Sequence, residues 1–352
     1  MVLQFIPFFF AIPNIYLTFA TMKRNTDIDF IRAILIMLMI LIHIVSFGNM
    51  YPHLKAGILS FMMPTFLIIT GYLVNIEKTR KQMRKYLMCL ALPYAIMVTG
   101  FSVLSYFLPV RDGITELSVS QICEKIFVTS IGPYWFIQTM IICGTLYYIS
   151  FSGTLDSAHP EKTTNKECSR SKSITRSLFL FAILLGIVAQ TPALSPSAAA
   201  YYFIGVLIRL SHFEFSKLFR PEPLAMALWA YLLSRDDWYD WGSLAVVASC
   251  WCCISSLMWM SSLIGLKPTS EGNNKTVSTL LYIGRNTLPI YLFHPIFTMA
   301  AKFYHPLFAW DKTEISFALF TVALAIIGSI VIAKMMEKTK LAYLFGKGKI
   351  LR

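Results

Sequence analysis

The chain has 352 residues, of which 56% are hydrophobic and only 14% are charged, and its formal net charge at pH 7 is +13. An average soluble domain carries about 25% charged residues, so this composition argues strongly against a soluble enzyme of one or two domains and excludes a highly charged disordered chain. The basic residues lie in short breaks between apolar runs, which is typical of membrane topology signals and not of a nucleic-acid-binding face. We therefore predict an all-α, polytopic membrane bundle that binds no nucleic acid.

The first 21 residues, Met1–Thr21, are apolar but lack the basic region and small-residue cleavage site of a signal peptide. We hypothesise that translation begins at Met22, and we set residues 1–22 apart from the membrane domain as an N-terminal extension. Residues 23–352 are then predicted to form a single transmembrane domain. Within it, the Ser-, Thr- and Lys-rich segment 152–176 predicts a flexible cytoplasmic loop. The cysteines show no paired metal-binding spacing, so we predict no metal site.

Seven apolar runs are long enough to cross a bilayer as helices, and three shorter runs lie between residues 177 and 233. They are Phe30–Phe47, Ala56–Val74, Tyr86–Leu108, Ile131–Phe151, Ser177–Gln190, Ala198–Leu210, Pro223–Leu233, Ser243–Gly265, Thr279–Ala301 and Ile315–Met335. With this assignment most of the 31 lysines and arginines fall on one side of the membrane, the side of the segment before Phe30. The pattern predicts about ten transmembrane helices with both termini cytoplasmic.

The first apolar run carries two charged or titratable groups on one face. A charged group at the bilayer centre costs at least about 2.5 kcal/mol, so each such residue is a functional candidate. Arg32 and His43 lie three helical turns and about 16 Å apart, and Asp29 lies one turn before Arg32 on the same face. The simpler interpretation is that Asp29 and Arg32 form an anchor and that His43 is a packing histidine.

The ninth run repeats this arrangement. Arg285 and Asn286 lie near its inner end, and Tyr291 and His294 follow on one face, with His294 at about the depth of His43. Two histidines at one level predict an acid–base site, because imidazole titrates near neutral pH. Tyr291, Asn286 or His294 could donate a hydrogen bond to a developing oxyanion. A hydrogen bond from His294 to a neighbouring helix is the structural alternative.

The polar segment after the second run contains Arg80, Arg84 and Lys85. As charge alone it is an anchor on the inner side of the membrane. As a functional cluster it could hold phosphates, bidentately through arginine and as a point charge through lysine. Together with Arg32 and Arg285 it predicts a cytoplasmic anion site beneath the two histidines.

Aromatic residues mark the predicted outer side of the membrane. Tyr134 and Trp135 lie at the start of the fourth run, and Trp238 lies in an acidic, aromatic loop. Such residues commonly form interfacial belts. The alternative is a platform on which a sugar ring stacks.

Four segments of the chain resemble the membrane-bound acyltransferase-3 family, the integral O-acyltransferases of bacterial surface polysaccharides. Arg32 and His43 match its Arg-x10-His signature, and Met63–Leu73 is similar to a Phe-rich run that ends here in Thr70-Gly71-Tyr72. Ile283–His294 is similar to the late-helix Gly-x-x-Ser/Thr…Tyr-Leu-x-His pattern, and Pro133–Ile137 to a Trp-Phe/Tyr-Leu segment. The resemblance extends from Lys23 to the C-terminus.

The resemblance implies transfer of an acyl group, which we expect to be acetyl, from acetyl-CoA or another cytoplasmic acyl-CoA. The acceptor would be a hydroxyl of an exopolysaccharide, a capsule or a lipid-linked glycan. His43 would be the general base and Arg32 part of the donor-binding end. The family's Arg-x-Arg element has only Arg80, Arg84 and Lys85 near its place. The implied partners are acyl-CoA, the glycan and membrane lipid, with no permanently bound cofactor, in a bacterial inner membrane.

Two other classes of function fit the same polar residues. A glycan or small-anion transporter or flippase would use the polar face as a permeation path and would need no acyl donor. An assembly subunit of a polysaccharide synthase would tolerate neutral replacement of both Arg32 and His43.

Overall fold

The structure, a computed structural model, describes residues 25–74, 80–107, 112–156, 164–211, 214–266, 274–345 and 349–352. Its regular elements within these ranges are all helices, which confirms the all-α prediction. The α-helices are α1 Thr26–Ile42, α2 Val45–Met50, α3 Pro52–Tyr72, α4 Arg80–Phe107, α5 Val119–Phe127, α6 Trp135–Asp156, α7 Thr164–Val188, α8 Pro196–Leu210, α9 Phe215–Leu218, α10 Pro223–Leu233, α11 Leu244–Leu263, α12 Lys275–Arg285, α13 Thr287–Tyr304 and α14 Ile315–Glu337. Short 3-10 turns lie at Gly132–Tyr134, Asp236–Trp238, His305–Phe308 and Lys340–Phe345. The proposed start at Met22 lies outside the described residues.

Side-chain caps fix where several of these helices begin. The Asn25 side chain accepts from the backbone N–H of Asp27 at 2.8 Å, and the acidic residues of the first turn complement the helix dipole of α1. Ser243 caps α11 in the same way, by accepting from the N–H of Val246 at 3.2 Å. These caps satisfy N–H groups that have no partner within the helix.

Length and composition qualify some of the helices as membrane spans. Four helices in the described part of the chain are long and apolar enough to cross a bilayer: α3, α4, α11 and α14. A fifth span results if α5 and the helix beginning at Gly132, which are bent by 44°, are counted together. The apolar helices Ser173–Val188, Pro196–Leu210 and Pro223–Leu233 are shorter. The chain is therefore a helical membrane protein, while the number of ten spans and their orientation stay predictions.

The helices form two compact units. The first comprises the described residues within 67–213 and 343–347. Its core is aromatic: the Tyr147 ring stacks on Phe151 at 4.4 Å, and Phe181 contacts Tyr147 edge-on at 5.6 Å. At Gly71 the end of α3 meets α8 so closely that a Cβ would overlap the carbonyl oxygen of Tyr202. Glycine in the Thr70-Gly71-Tyr72 motif is therefore required by helix packing.

The second unit comprises the described residues within 21–66, 214–342 and 348–352. Helix α1 lies inside it and contacts α11, α12, α13 and α14. Ile31, Leu35 and Met39 of α1 are fully buried, so this helix is surrounded by protein on several sides. A helix in this position can carry polar groups that face neighbouring helices and not lipid.

Two of the predicted spans are interrupted in the structure. The run Phe30–Phe47 was expected to be one helix, but α1 ends at Ile42 and α2 begins at Val45. The run Thr279–Ala301 divides at Asn286 into α12 and α13. Pro289 explains the second break, because a proline ring clashes with the carbonyl four residues earlier and lacks an N–H to donate. The continuous-helix prediction was wrong at both places.

The predicted polar loop 152–176 is also shorter than expected. Helix α6 continues to Asp156, and α7 already begins at Thr164, so most of the segment extends the two flanking helices. Residues 157–163 lie outside the described part of the chain. The cytoplasmic location of this segment stays a prediction.

Candidate active site

The two polar faces predicted from the sequence come together between α1 and α13. The Arg32 guanidinium donates a hydrogen bond to the hydroxyl of Thr287 at the beginning of α13. Further along both helices, the rings of His43 and His294 lie 5.3 Å apart, centroid to centroid, at 75°. The residue numbers increase together from the first contact to the second in both helices, so α1 and α13 run parallel. One helix pair therefore carries a cationic end and a histidine end.

Each imidazole is oriented by a main-chain carbonyl of its own helix. Nδ1 of His43 lies 2.6 Å from the carbonyl oxygen of Met39, and Nδ1 of His294 lies 2.7 Å from that of Tyr291. A carbonyl oxygen can only accept, so both Nδ1 atoms carry the proton and both Nε2 atoms present a lone pair in the neutral form. A lone pair at Nε2 is what a general base requires.

Helix irregularities free these carbonyls to accept from a side chain. At the end of α1 the His43 N–H bonds to Ile40, three residues back, so the Met39 carbonyl loses its usual partner. In α13 the partner of the Tyr291 carbonyl would be residue 295, which is a proline without an N–H. His43 and His294 are thus held in the same tautomer for the same physical reason.

The two histidines differ in how accessible they are. His294 has no exposed surface, whereas His43 is partly exposed at the break between α1 and α2. Nε2 of His294 is buried and has no hydrogen-bond partner among the described residues. Tyr291 is buried beside it, with its ring 5.7 Å from the His294 ring. His43 is therefore the more accessible of the two rings.

The cationic end contains a second basic residue. Arg285, the last residue of α12, lies 3.6 Å from the carboxylate of the buried Asp29, measured from Nε to Oδ2. The helices approach closely here, since a Cβ on Gly284 would overlap the carbonyl oxygen of Asp29. Arg32 and Arg285, both predicted at the donor-binding end, are thus brought to the same part of α1.

Asn286 has different partners from those an oxyanion-binding role would need. Its Nδ2 donates to the carbonyl oxygens of Tyr282 at 2.9 Å and Arg352 at 3.2 Å, and its Oδ1 accepts from the Arg352 N–H at 2.7 Å. Both amide hydrogens are therefore directed at main-chain oxygens. The geometry places Asn286 at the helix break as a structural residue and argues against the predicted oxyanion contact.

Lys55 lies near the histidine end and was not predicted as a site residue. Its side chain crosses Gly48: a Cβ there would lie 2.9 Å from Lys55 Cδ and 3.2 Å from Nζ. Its charge interacts electrostatically with His43. Lys55 makes no ion pair within the described ranges. In the sequence, the signal for this contact is Gly48, seven residues before the isolated Lys55. An isolated lysine is equally typical of a residue that marks membrane topology.

The other predicted binding residues lie apart from this helix pair in the chain. Tyr134 is fully buried against Phe101, with the ring centroids 5.7 Å apart, which argues against its predicted role in stacking on a sugar. Trp135 is partly exposed in the same unit. Arg84 and Lys85 are exposed on α4, also in the first unit.

Arg80 begins α4, and its side chain lies outside the described part of the structure, as do residues 77–79. A shared anion site of this segment with Arg32 and Arg285 stays a prediction. Trp238 belongs to the second unit and is partly exposed. Its ring contacts Arg235, whose guanidinium carbon lies 5.3 Å from the ring centroid, and Tyr231 at 5.9 Å.

The site lies in a helical membrane protein, where two parallel helices share an arginine contact at one end and a pair of histidines at the other. A family model described as an acyltransferase domain matches residues 25–334, which is most of the chain. The chain therefore belongs to the acyltransferase-3 family, as the motifs predicted. No curated protein and no solved structure matches the sequence.

Proposed function

We propose that the protein is an integral membrane O-acyltransferase of the bacterial inner membrane. It transfers an acyl group, acetyl in the simplest case, from acyl-CoA to a hydroxyl of an exopolysaccharide, a capsule or a lipid-linked glycan. The observation that carries this proposal is the orientation of His43, whose Nδ1 is held by the Met39 carbonyl while the partly exposed ring presents Nε2. Membership of the acyltransferase-3 family supports the reaction class.

In the proposed reaction, Nε2 of His43 removes the proton from the acceptor hydroxyl as its oxygen attacks the thioester carbonyl. A C–O bond forms, and the carbonyl oxygen acquires the negative charge of a tetrahedral intermediate. That intermediate collapses with cleavage of the C–S bond, and the proton on His43 passes to the departing CoA sulfur. Lys55 supplies positive charge near the intermediate, and the unpartnered lone pair of His294 Nε2 lies beside the ring that becomes charged.

The donor would bind along the α1–α13 pair. Arg32 and Arg285 supply positive charge at one end for the phosphates of CoA. Arg32 and His43 are separated by about 16 Å along α1, a distance comparable to an extended phosphopantetheine arm. A donor held at the cationic end would therefore present its thioester at the histidine end.

The test is transfer of radiolabel from the acetyl group of acetyl-CoA into glycan, in membranes with and without the protein. His43→Gln should lower the rate by at least about a hundredfold, the usual contribution of a general base. His53→Gln is the matched control, because His53 is an exposed histidine paired with Asp236 outside this site. Undiminished transfer by folded His43→Gln would refute the assignment of the base. Movement of glycan or anion without an acyl donor would favour a transporter instead.

A second measurement tests the donor-binding end. Arg32→Ala should raise the KM for acetyl-CoA with a smaller effect on kcat, because it removes a contact made equally in the ground and transition states. An unchanged KM in the folded variant would exclude Arg32 from donor binding.

A further inference from the structure

Asn286, which lies at the break between α12 and α13, is hydrogen-bonded to Arg352 in the described segment 349–352. Asn286 lies between Arg285, which pairs with Asp29, and Thr287, which accepts from Arg32. Its side chain bonds the main chain of Arg352 in both directions, through Nδ2 to the carbonyl oxygen and through Oδ1 from the N–H. The residues on both sides of this anchored asparagine thus contact the cationic end of α1.

A carboxylate on another helix holds the same segment. Oε1 of Glu337, the last residue of α14, accepts from the N–H of Ile350 at 2.6 Å and from the N–H of Leu351 at 2.7 Å. Hydrogen bonds to an ionised carboxylate are stronger than those between neutral groups. The Leu351 side chain is buried, which adds an apolar contact to the polar ones. Residues 350–352 are therefore held from two helices at once.

We propose that Glu337 and residues 350–352 are positioning elements for Arg285 and Thr287, an inference that rests on the proposed acyl-CoA transfer. At this break Asn286 keeps main-chain bonds to Tyr282 and Ile290, but the Arg285 carbonyl has no helical partner because residue 289 is a proline, so the backbone has more freedom than in a continuous helix. The bonds from Arg352 to Asn286 restrict this freedom, and the adjoining peptide units pass the restriction on to Arg285 and Thr287. The segment acts through these residues and does not touch the donor.

A purely structural role is the competing interpretation, in which the segment only covers the end of the bundle. In that role, loss of the segment would lower the stability of the protein, and any change in kcat and KM would be the same whether or not Arg285 is present. A positioning role makes a narrower claim: the effect appears in the KM for the donor, and it depends on the presence of the arginine that is positioned.

The kinetic experiment compares three variants of the full chain with acetyl-CoA as the donor. Glu337→Ala removes the acceptor of both N–H groups and should raise the KM by about threefold to tenfold with kcat less affected. Glu337→Gln keeps an oxygen acceptor and should recover most of that loss. Lys338→Ala changes the exposed neighbouring residue and is the control. A wild-type KM in folded Glu337→Ala would overturn the proposal.

A double-mutant cycle with Arg285→Ala separates positioning from general destabilisation. If Glu337 acts through Arg285, the effect of Glu337→Ala on KM should largely disappear when Arg285 is already absent. Fully additive effects would refute the proposed link from Glu337 to Arg285.

Amide hydrogen exchange tests the physical link without any enzymatic activity. Glu337→Ala should speed exchange at residues 285–288 and 290 by at least about tenfold, since local opening becomes easier. Unchanged exchange there would refute the positioning link even if the enzyme transfers acetyl groups. Faster exchange in a protein that transfers none would leave the link supported and refute the proposed function.

Discussion

At the scale of single residues, the site depends on which nitrogen of each histidine carries the proton. His43 and His294 both direct Nδ1 at a carbonyl oxygen of their own helix, and both therefore present Nε2 as a lone pair. The sequence predicted that the two rings lie at one depth, because helical rise alone gives that result. It did not predict the tautomer, because that depends on how each helix ends or accommodates a proline.

Lys55 provides a prediction at this scale. Replacement of Lys55 by Met removes the positive charge near His43 while keeping an unbranched side chain across Gly48. We expect kcat for acetyl transfer to fall by about tenfold or more, because charge stabilisation of the oxyanion is lost, and the KM for acetyl-CoA to change little. Lys55→Arg retains the charge and should lie closer to the wild type. Equal kcat values for Lys55→Met and the wild type would exclude this role.

At the scale of helices, the breaks create the site. Helices α12 and α13 meet at Asn286, and the side chain of this residue bonds the main chain of Arg352. The sequence contains the signal for this break in Asn286-Thr287-Leu288-Pro289, an asparagine three residues before a proline. Apolar periodicity extends through the segment without interruption, so a search for spans by length joins the two helices.

Pro295 makes the second prediction, which concerns the helix around His294. Pro295→Ala restores an N–H that can bond the Tyr291 carbonyl, and this bond competes with Nδ1 of His294. We expect the variant to fold at least as stably as the wild type, since alanine favours a helix interior, yet to transfer acetyl groups about threefold to tenfold more slowly. Thermal unfolding and kcat measured on one preparation check both parts. A more stable variant with full activity would contradict the importance of His294 orientation.

Gly284 makes the third prediction, which concerns the packing of α12 on α1. Gly284→Ala introduces a Cβ at the carbonyl oxygen of Asp29, which is main chain and cannot rotate away. The helices must separate, at a cost of about 1–3 kcal/mol, and the Asp29–Arg285 pair should weaken. We expect a lower unfolding temperature and a higher KM for acetyl-CoA. Gly100→Ala is the control, because a Cβ there meets no atom within 4 Å. Comparable losses in the two variants would contradict this explanation.

At the scale of the whole chain, the sequence predicts helix content more securely than the number of membrane crossings. A run of apolar residues specifies a helix in a bilayer because every backbone group must be satisfied within the segment. It does not specify a crossing when the helix is short: α8 and α10, at 15 and 11 residues, rise only about 22 and 16 Å. A hydrocarbon core is about 30 Å thick, so these helices need flanking residues to cross it.

The last prediction tests the ten-span topology through one exposed thiol. Cys123 on α5 is exposed, and the other cysteines in the described ranges are buried. Seven crossings are predicted between Cys123 and Lys338, and an odd number places them on opposite sides of the membrane. In spheroplasts, a membrane-impermeant maleimide should label Cys123 directly and should label Lys338→Cys, made with Cys123→Ser, only after permeabilisation. Cys168 lies outside the residues with described side chains and is replaced by serine in both proteins. Labelling of both thiols from the same side would require an even number of crossings and would refute the predicted assignment of the short helices.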